Sequence, residues 1–325
     1  ETDPEIINAT ADFTYKQGDD PFTFEFENLS TKYKRVEWRF GDDSLSVSED
    51  PSHVYLTAGT FTVDLRAISE TGAVSRKVLD IVIVPDSVLK ITADKTGNPN
   101  SVKFKITTGA TIASTRWTFV DSKTSQTSNS ETLDPEKTYT SGTLNTVKTR
   151  VVTAKGSVVE VNNFVSTAGI IKNFNNLVLR GTPSEEGTNS NELSAKLLDG
   201  NVETKLFLGW AGGKTWTYTL ELSSKQTLKF YGIGNANDSQ GRDPKQWQFE
   251  GSNDGAIWEV LDSRTLERNF YDQRADLGFN GDENRYKQMF YYEVANPKPF
   301  QFYRYNLLAN FGDGGMQFSE IRMFR

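Results

Sequence analysis

The sequence predicts an all-β chain built from three modules, the first two of them copies of one another. Thr, Ser, Val and Asn are plentiful beside 21 Phe, 12 Tyr and 6 Trp, a composition that suits pleated, half-buried surfaces better than helices. Short windows of alternating or clustered apolar residues are separated by Gly, Asp and Ser turn signals. A length of 325 residues exceeds what most single cores serve, so two or three domains are expected.

In chain order, "FTFEFENLS" (22–30), "FTVDLRAIS" (61–69) and "VLDIVIV" (78–84) read as strands of a small sandwich. "VPDS" (84–87) joins a proline to turn-favouring residues after a buried-looking strand and marks a boundary, with a second set of strands from Val88. The second region repeats the first. "VEWRFGDD" (36–43) aligns with "TRWTFVDS" (115–122) and "PSHVY" (51–55) with "PEKTY" (135–139), and Tyr55 to Gly72 spans the same interval as Tyr139 to Gly156. Trp38 and Trp117 fall at equivalent mid-strand positions and are expected between two sheets. After "VSTAGIIKNF", the polar stretch "RGTPSEEGTNSNELS" (180–194) leads into a longer β unit. There "WTYTLEL" puts Trp216, Tyr218, Leu220 and Leu222 on one face, and "FYRYNLL" does the same with Tyr303, Tyr305 and Leu307. Asp254-Gly255 signals a hairpin, with Trp247 and Trp258 expected in the core. The expected domains are residues 1–86, 87–168 and 169–325.

With 43 acidic against 36 basic residues the net charge is −7, and no basic cluster along the chain is dense enough to follow a phosphate backbone, which argues against nucleic acid as partner. The absence of cysteine removes disulfides and thiolate metal sites. No apolar run approaches the roughly 20 residues that span a bilayer. "ETDPEIINAT" starts without Met, as a trimmed mature chain would, which leaves secretion open. His53 is the only histidine, so any Ser-His-Asp machinery would have to use it; it lies where the second copy has Lys137, which argues for a structural role. "FGDDS" (40–44) has adjacent carboxylates that a cation would favour, but a tight turn at Gly41, with Asp42 bonding neighbouring amides, is the plainer reading.

"WRFGDD" and "PSHVYLTAGTFTVDLRAISETG" strongly resemble the PKD domain, an immunoglobulin-like β-sandwich common in surface and secreted proteins, over about residues 8–85. The second module keeps Trp117, Phe119, Pro135 and Tyr139, replaces Gly41 by Val120, and resembles a degenerate copy.

The loop "LLDGNVETK" (197–205) is a turn on its own terms, although Asp199, Asn201 and Thr204 are spaced so that a curled loop aims oxygens at one centre. From about residue 190 onward, "AKLLDGNVETK", "NDSQGRDPKQWQFEGSNDGAIWEVL", "FYRYNLL" and "QFSEIRMF" resemble the discoidin or F5/8 type C fold, in the form of the family 32 carbohydrate-binding modules. The resemblance implies a discoidin-like β-sandwich jelly roll. It also implies a structural Ca2+ bridging the early loop to a glutamate near the C-terminus, here held by the backbone oxygen of Lys196 with Asp199, Asn201, Thr204, Ser319 and Glu320. The glycan site is implied on loops at one end of the fold, which here carry Trp210, Asn235, Asp238, Arg242, Asp243, Arg268 to Arg274, Asn310, Phe311 and Asp313. Phe311, on a glycine-flanked tip, is the stacking candidate beside Trp210, Asn235, Asp238, Arg242 and Arg274. Arg242 has two readings, a ligand donor or one half of an ion pair with Asp238 that shapes the loop. The usual galactose-binding histidine of many relatives is absent, so a galactose preference is not implied.

The expectation is therefore a non-catalytic, cell-surface or secreted protein that binds glycan or polysaccharide through its third domain, with the two sandwiches as spacers. It resembles surface lipoproteins of Bacteroidetes, which implies a lipid-anchored precursor at the outer-membrane surface and other cell-surface glycan-utilisation proteins as partners. The alternatives are a protein-binding adhesin and the accessory region of a glycan-degrading system. No His-supported nucleophile or metal centre is legible, so no catalytic residue is expected.

Overall fold

Strand alternation decides what is buried throughout the chain, whose structure is a computed structural model that describes residues 8–122, 126–140, 144–281 and 286–325. In the first domain β1 (Phe13–Gln17), β2 (Thr23–Asn28) and β5 (Ser52–Val54) form one antiparallel sheet. The facing sheet has the order β4 (Leu45–Ser46), β3 (Arg35–Arg39), β6 (Gly59–Ile68) and β7 (Val74–Ile83). The inward residues of β2 and β3 are Phe24, Phe26, Val36 and Trp38, all buried. Trp38 donates its indole N–H to the Ser48 carbonyl at 3.0 Å, which satisfies the one polar atom of an otherwise apolar core residue. Gly41 is required at its turn: its φ is +85°, and a Cβ there would lie 2.7 Å from the Thr62 nitrogen.

A one-turn helix, α1 (Pro85–Val88), leads into the second domain, where the sequence placed a boundary and the start of new strands. Its sheets are β12 (Glu136–Thr138), β9 (Ser101–Thr107) and β8 (Lys90–Lys95), and β11 (Gln126–Ser130), β10 (Ile112–Asp121), β13 (Asn145–Thr153), β14 (Val158–Ser166) and β15 (Gly169–Ile171), each in that spatial order. The duplication holds at the level of ring geometry. Trp38 and Phe40 stack with centroids 6.4 Å apart, Trp117 and Phe119 at 6.1 Å, and Trp117 donates to the Thr132 carbonyl as Trp38 does to Ser48. Val120 in place of Gly41 lets β10 continue to Asp121, whereas β3 stops at Arg39. The strand β15, from residue 169 onward, completes the second domain's sheet rather than opening the third domain.

The third domain packs a five-stranded sheet against a three-stranded one. The larger has the order β16 (Val178–Pro183), β18 (Trp216–Thr227), β23 (Pro299–Asn310), β20 (Pro244–Ser252) and β21 (Glu259–Thr265). The smaller is β22 (Met289–Glu293), β19 (Phe230–Gly234) and β25 (Glu320–Phe324), and β17 (Leu206–Gly209) pairs with β24 (Gly315–Phe318) beside them. Trp216, Tyr218, Leu220, Leu222, Tyr303, Tyr305 and Leu307 all face the core, as their period of two requires. Trp247 is buried and donates to Tyr231 Oη at 2.9 Å. Trp258 departs from expectation. It precedes β21 in the hairpin loop, is half-buried, and lies under the Arg304 guanidinium at 4.2 Å.

Both junctions are packed. The Ser157 hydroxyl donates to the Tyr55 carbonyl at 2.8 Å and Val158 N–H to the Leu56 carbonyl at 2.8 Å, so the first and second domains share hydrogen bonds and one apolar cluster. Leu144 and Ile171 of the second domain pack on Phe230 and Phe324 of the third.

Candidate functional site

Two clusters meet at one end of the third domain, and both are built from loops held by β17, β19, β24 and β25. The first is the loop after the 3₁₀ turn Ser194–Leu198. Asp199 Oδ1 accepts from Asn201 N–H at 2.9 Å and its Oδ2 from the Thr204 hydroxyl at 2.7 Å, while Asn201 Oδ1 accepts from Glu203 N–H at 3.0 Å. These are the turn bonds that Asp and Asn supply. The loop is then tied to the far end of the chain, because Glu320 Oε1 accepts from Gly200 N–H at 2.7 Å.

Glu320 and Ser319 are fully buried, and Glu320 Oε2 and Ser319 Oγ have no hydrogen-bond partner among the described residues. Arg322 Nε approaches Glu320 Oε2 only to 3.5 Å. Burial pushes the Glu320 carboxyl up to about 7, against the lowering effect of the Gly200 N–H and Arg322. Two orphaned buried oxygens thus lie on the segment that closes on the Asp199 loop, and oxygen is the atom type a hard cation such as calcium takes. Among the described residues no group of three His, Cys, Asp or Glu is gathered, so a cation there would have at most two carboxylates beside neutral oxygens.

The second cluster surrounds Phe207. In β17 Leu206 and Leu208 point inward, which leaves Phe207 on the outer side, opposite Gln317 of β24. The guanidinium of Arg242, on the 3₁₀ turn Gln240–Arg242, lies 5.0 Å from the Phe207 ring centroid. Arg242 stands between two carboxylates, 3.7 Å from Asp238 Oδ1 and 3.5 Å from Asp313 Oδ2. The nearly buried Lys205 donates to Asp238 Oδ1 at 3.1 Å and to Gln317 Oε1 at 2.9 Å. Partial burial opposes the charge on Asp238, but hydrogen bonds from Gln317 and Lys205 together with the Lys205 and Arg242 charges hold its carboxyl below the usual range. Asp238 is thus held as a carboxylate, and Arg242, Asp238 and Asp313 are all partly open to solvent.

The loops that carry it are fixed from beneath. Asn310 Nδ2 donates to the Asp313 and Gly315 carbonyls at 2.8 and 2.7 Å, and its Oδ1 accepts from Gly312 N–H at 3.0 Å. Asp243 is buried, its carboxyl raised well above the ordinary range by that burial, and accepts from Phe270 N–H at 3.1 Å at the start of α2 (Phe270–Gln273).

Of the residues expected to meet a ligand, Asp238 and Arg242 come together in the ion pair that one reading of Arg242 expected, and the pair leaves the guanidinium partly exposed. Trp210 and Asn235 do not join them. Trp210 is only 8% exposed, since its N–H bonds to the Gly314 carbonyl and turns the ring into the core. Asn235 is 1% exposed and exchanges hydrogen bonds with the Gln288 backbone, where it fastens the end of β19. Arg274 folds back on its own turn, donating to the Tyr271 carbonyl at 2.8 Å and stacking on the Tyr271 ring at 3.8 Å. Phe311 is half-buried at the tip, with Lys245 Nζ 5.5 Å from its ring. Phe207 and Lys205 were missed. An aromatic between two inward leucines in "LFLG" was the available signal for Phe207, whereas nothing local marks Lys205.

In the first domain the histidine is structural. His53 Nε2 lies 2.8 Å from Asp42 Oδ2, and its ring stacks on Phe40 at 4.1 Å. Residues 2–84 match the family model of the PKD domain. The first domain is a PKD domain. Solved structures similar to the chain include carbohydrate-binding modules, aligned over less than half of it. CpGH89CBM32-5 from Clostridium perfringens, in complex with GalNAc-β-1,3-galactose, is 13% identical, with 45% of this chain and 94% of that chain covered and a TM-score of 0.36. The family 32 module of C. perfringens NanJ, in complex with galactose, is 10% identical over 48% and 100%, with a TM-score of 0.37. The C-terminal domain of a chitobiase from Bacteroides fragilis is 16% identical over 47% and 96%, at 0.35. The second copy differs from the PKD domain in its polar partner: Asp121, aligned with Asp42, accepts from Thr140 N–H at 2.9 Å, and Lys137 replaces the histidine.

Proposed function

We propose that the chain is a non-catalytic carbohydrate-binding protein whose third domain holds glycan at the Phe207–Arg242 cluster, while the PKD domain and its copy position that domain away from an anchoring surface. The observation that carries this reading is the arrangement of Arg242 on the Phe207 ring between Asp238 and Asp313. A guanidinium fixed by two carboxylates offers paired donors and acceptors to vicinal hydroxyls, and the apolar ring edge beside it suits sugar C–H groups. The loop-end oxygens of Lys196, Asp199, Asn201, Thr204, Ser319 and Glu320 would hold a calcium ion that ties the two ends of the domain and takes no part in chemistry. No helix among the described residues is long and apolar enough to cross a membrane. An extracellular or outer-membrane location, through a lipid anchor on the precursor, accords with the PKD domain and with a glycan partner.

The protein-binding alternative rests on the PKD domain, where Val74, Val78, Val82 and Val84 are exposed along and just beyond β7. A glycan array probed with the full chain, repeated with Arg242→Ala and Phe207→Ala, tests the main reading. Binding to a defined set of glycans that both variants lose supports it; an array with no signal, or signals untouched by both variants, refutes it.

A further inference from the structure

Where the second and third domains meet, Lys172 and Arg325 exchange both backbone hydrogen bonds, Lys172 N–H to the Arg325 carbonyl at 3.0 Å and Arg325 N–H to the Lys172 carbonyl at 2.9 Å. Residues that exchange both bonds in an antiparallel pair stand directly opposite, about 5.5 Å apart at Cα, with side chains on the same face. Like charges in that relation oppose folding. A third cation, Lys90 of β8, lines the same crevice of about 400 Å³, together with Thr92, Asp94 and the Ala168–Ile170 backbone. Its walls are fixed: β15 presses on β8 so closely that a Cβ on Gly169 would lie 2.6 Å from the Ala93 carbonyl oxygen. Lys90 and Lys172 are exposed and form no ion pair among the described residues, and Arg325 bonds only the neutral Gln226 side chain. In a chain of net charge −7, three cationic side chains around one crevice with a single acidic side chain, Asp94, are a local conflict that an anionic ligand resolves.

We propose that this junction crevice is a second binding site, specific for an anionic sugar residue, whose carboxylate or sulfate sits among Lys90, Lys172 and Arg325 while Asp94, Thr92 and the Ala168–Ile170 backbone meet its hydroxyls. The volume suits one or two sugar rings. The chemical class rests on the saccharide-binding reading, but the site is separate from the Phe207–Arg242 cluster. The second domain is then part of a binding surface and more than a spacer.

The test is isothermal titration of the full chain with trigalacturonate, a sulfated galactose trisaccharide, neutral galactotriose and a single-stranded DNA oligonucleotide. The expected result is binding of one or both anionic trisaccharides that weakens with added salt. It should fall at least tenfold in the Lys90→Ala/Lys172→Ala double variant and persist in Arg242→Ala and Phe207→Ala. The uronate and sulfate arms tell the two anion sources apart. Anionic binding lost in Arg242→Ala but kept in the double variant would overturn this site and leave the function proposed above intact. Equal affinity of the double variant and the parent, no binding of either anionic sugar, or tighter binding of DNA would also overturn it. Lys172→Thr, melted in low salt without ligand, gives an independent measurement: relief of the opposed charges raises the melting temperature, and a lowered one contradicts the proposal.

Discussion

Replacing Glu320 by glutamine changes stability in opposite directions with and without calcium. The carboxyl is fully buried, its Oε1 bonds to Gly200 N–H, and its Oε2 has no hydrogen bond. Burial sets its folded pKa at about 7, against 4.5 for the ordinary group. Because the folded state keeps the proton to higher pH, this group's contribution is fully present below 4.5 and is lost as pH rises through about 7. By pH 8, without a cation, ionised Glu320 therefore costs about 3 kcal/mol. Glutamine removes the charge and keeps an oxygen for Gly200 N–H, so Glu320→Gln in chelator at pH 8 should melt roughly 6–12 °C above the parent. In millimolar calcium the order should reverse, because the cation takes the proton's place on the parent and the variant loses a ligand. Differential scanning calorimetry in chelator and in calcium, at pH 5 and 8, reads both effects. A parent whose melting temperature is the same in calcium and chelator, and flat between pH 5 and 8 in chelator, would refute the reasoning and make the loop a turn only.

Asp64, in the PKD domain, is gripped by Arg76 through two hydrogen bonds of 3.0 and 2.7 Å; burial opposes its charge, but the Arg76 and Arg66 interactions prevail and hold its carboxyl below the usual range. Its contribution is thus present above the ordinary carboxylate pKa and lost as pH falls through the lower folded value, so Asp64→Asn should cost about 1–2 kcal/mol at pH 7 in urea melts and progressively less as the pH is taken below the ordinary carboxylate range. Phe311→Ala should weaken glycan binding in titration calorimetry with a stability loss well below the roughly 3–5 kcal/mol of a core aromatic, because the ring is half-buried; unchanged affinity with a clearly lowered melting temperature would show that Phe311 only packs. Removing residues 1–165 uncovers Phe230 and Phe324 by taking away Leu144 and Phe164, and should lower the third domain's stability by about 2–3 kcal/mol while leaving neutral-glycan affinity of the folded fraction unchanged.

Much of the fold was legible because a period of two is a local signal. The faces of β18 and β23, the paired tryptophans of the duplicated sandwiches and the Gly41 turn all follow from residues within one strand or one bend. Misreadings arose where a residue stands next to a strand end. Trp258 lies before the first residue of β21 and shares its parity with the exposed Val260, and Trp210 follows β17, where a bond to Gly314 from the far end of the domain turns it inward. Asn235 looked like a loop amide because its partner, Gln288, is 53 residues away.

The same distance in sequence explains why charge was the least legible property of the surface. Along the chain Lys90, Lys172 and Arg325 are isolated cations in an acidic protein, and only the closure of β15 onto β8 and of Lys172 onto Arg325 sets them around one crevice. Lys205 is the converse case: it looks solvated beside "DGNVET", yet strand pairing across β17 and β24 buries it against Gln317 and makes it the support of Asp238. Apolar patterning selects which face of a strand is covered, and strand pairing then decides which charges become neighbours. For this chain the first step could be taken from the residues in order, whereas both proposed sugar sites depend on the second, so charge substitutions at Lys90, Lys172 and Arg242 separate them more sharply than substitutions in the cores beneath.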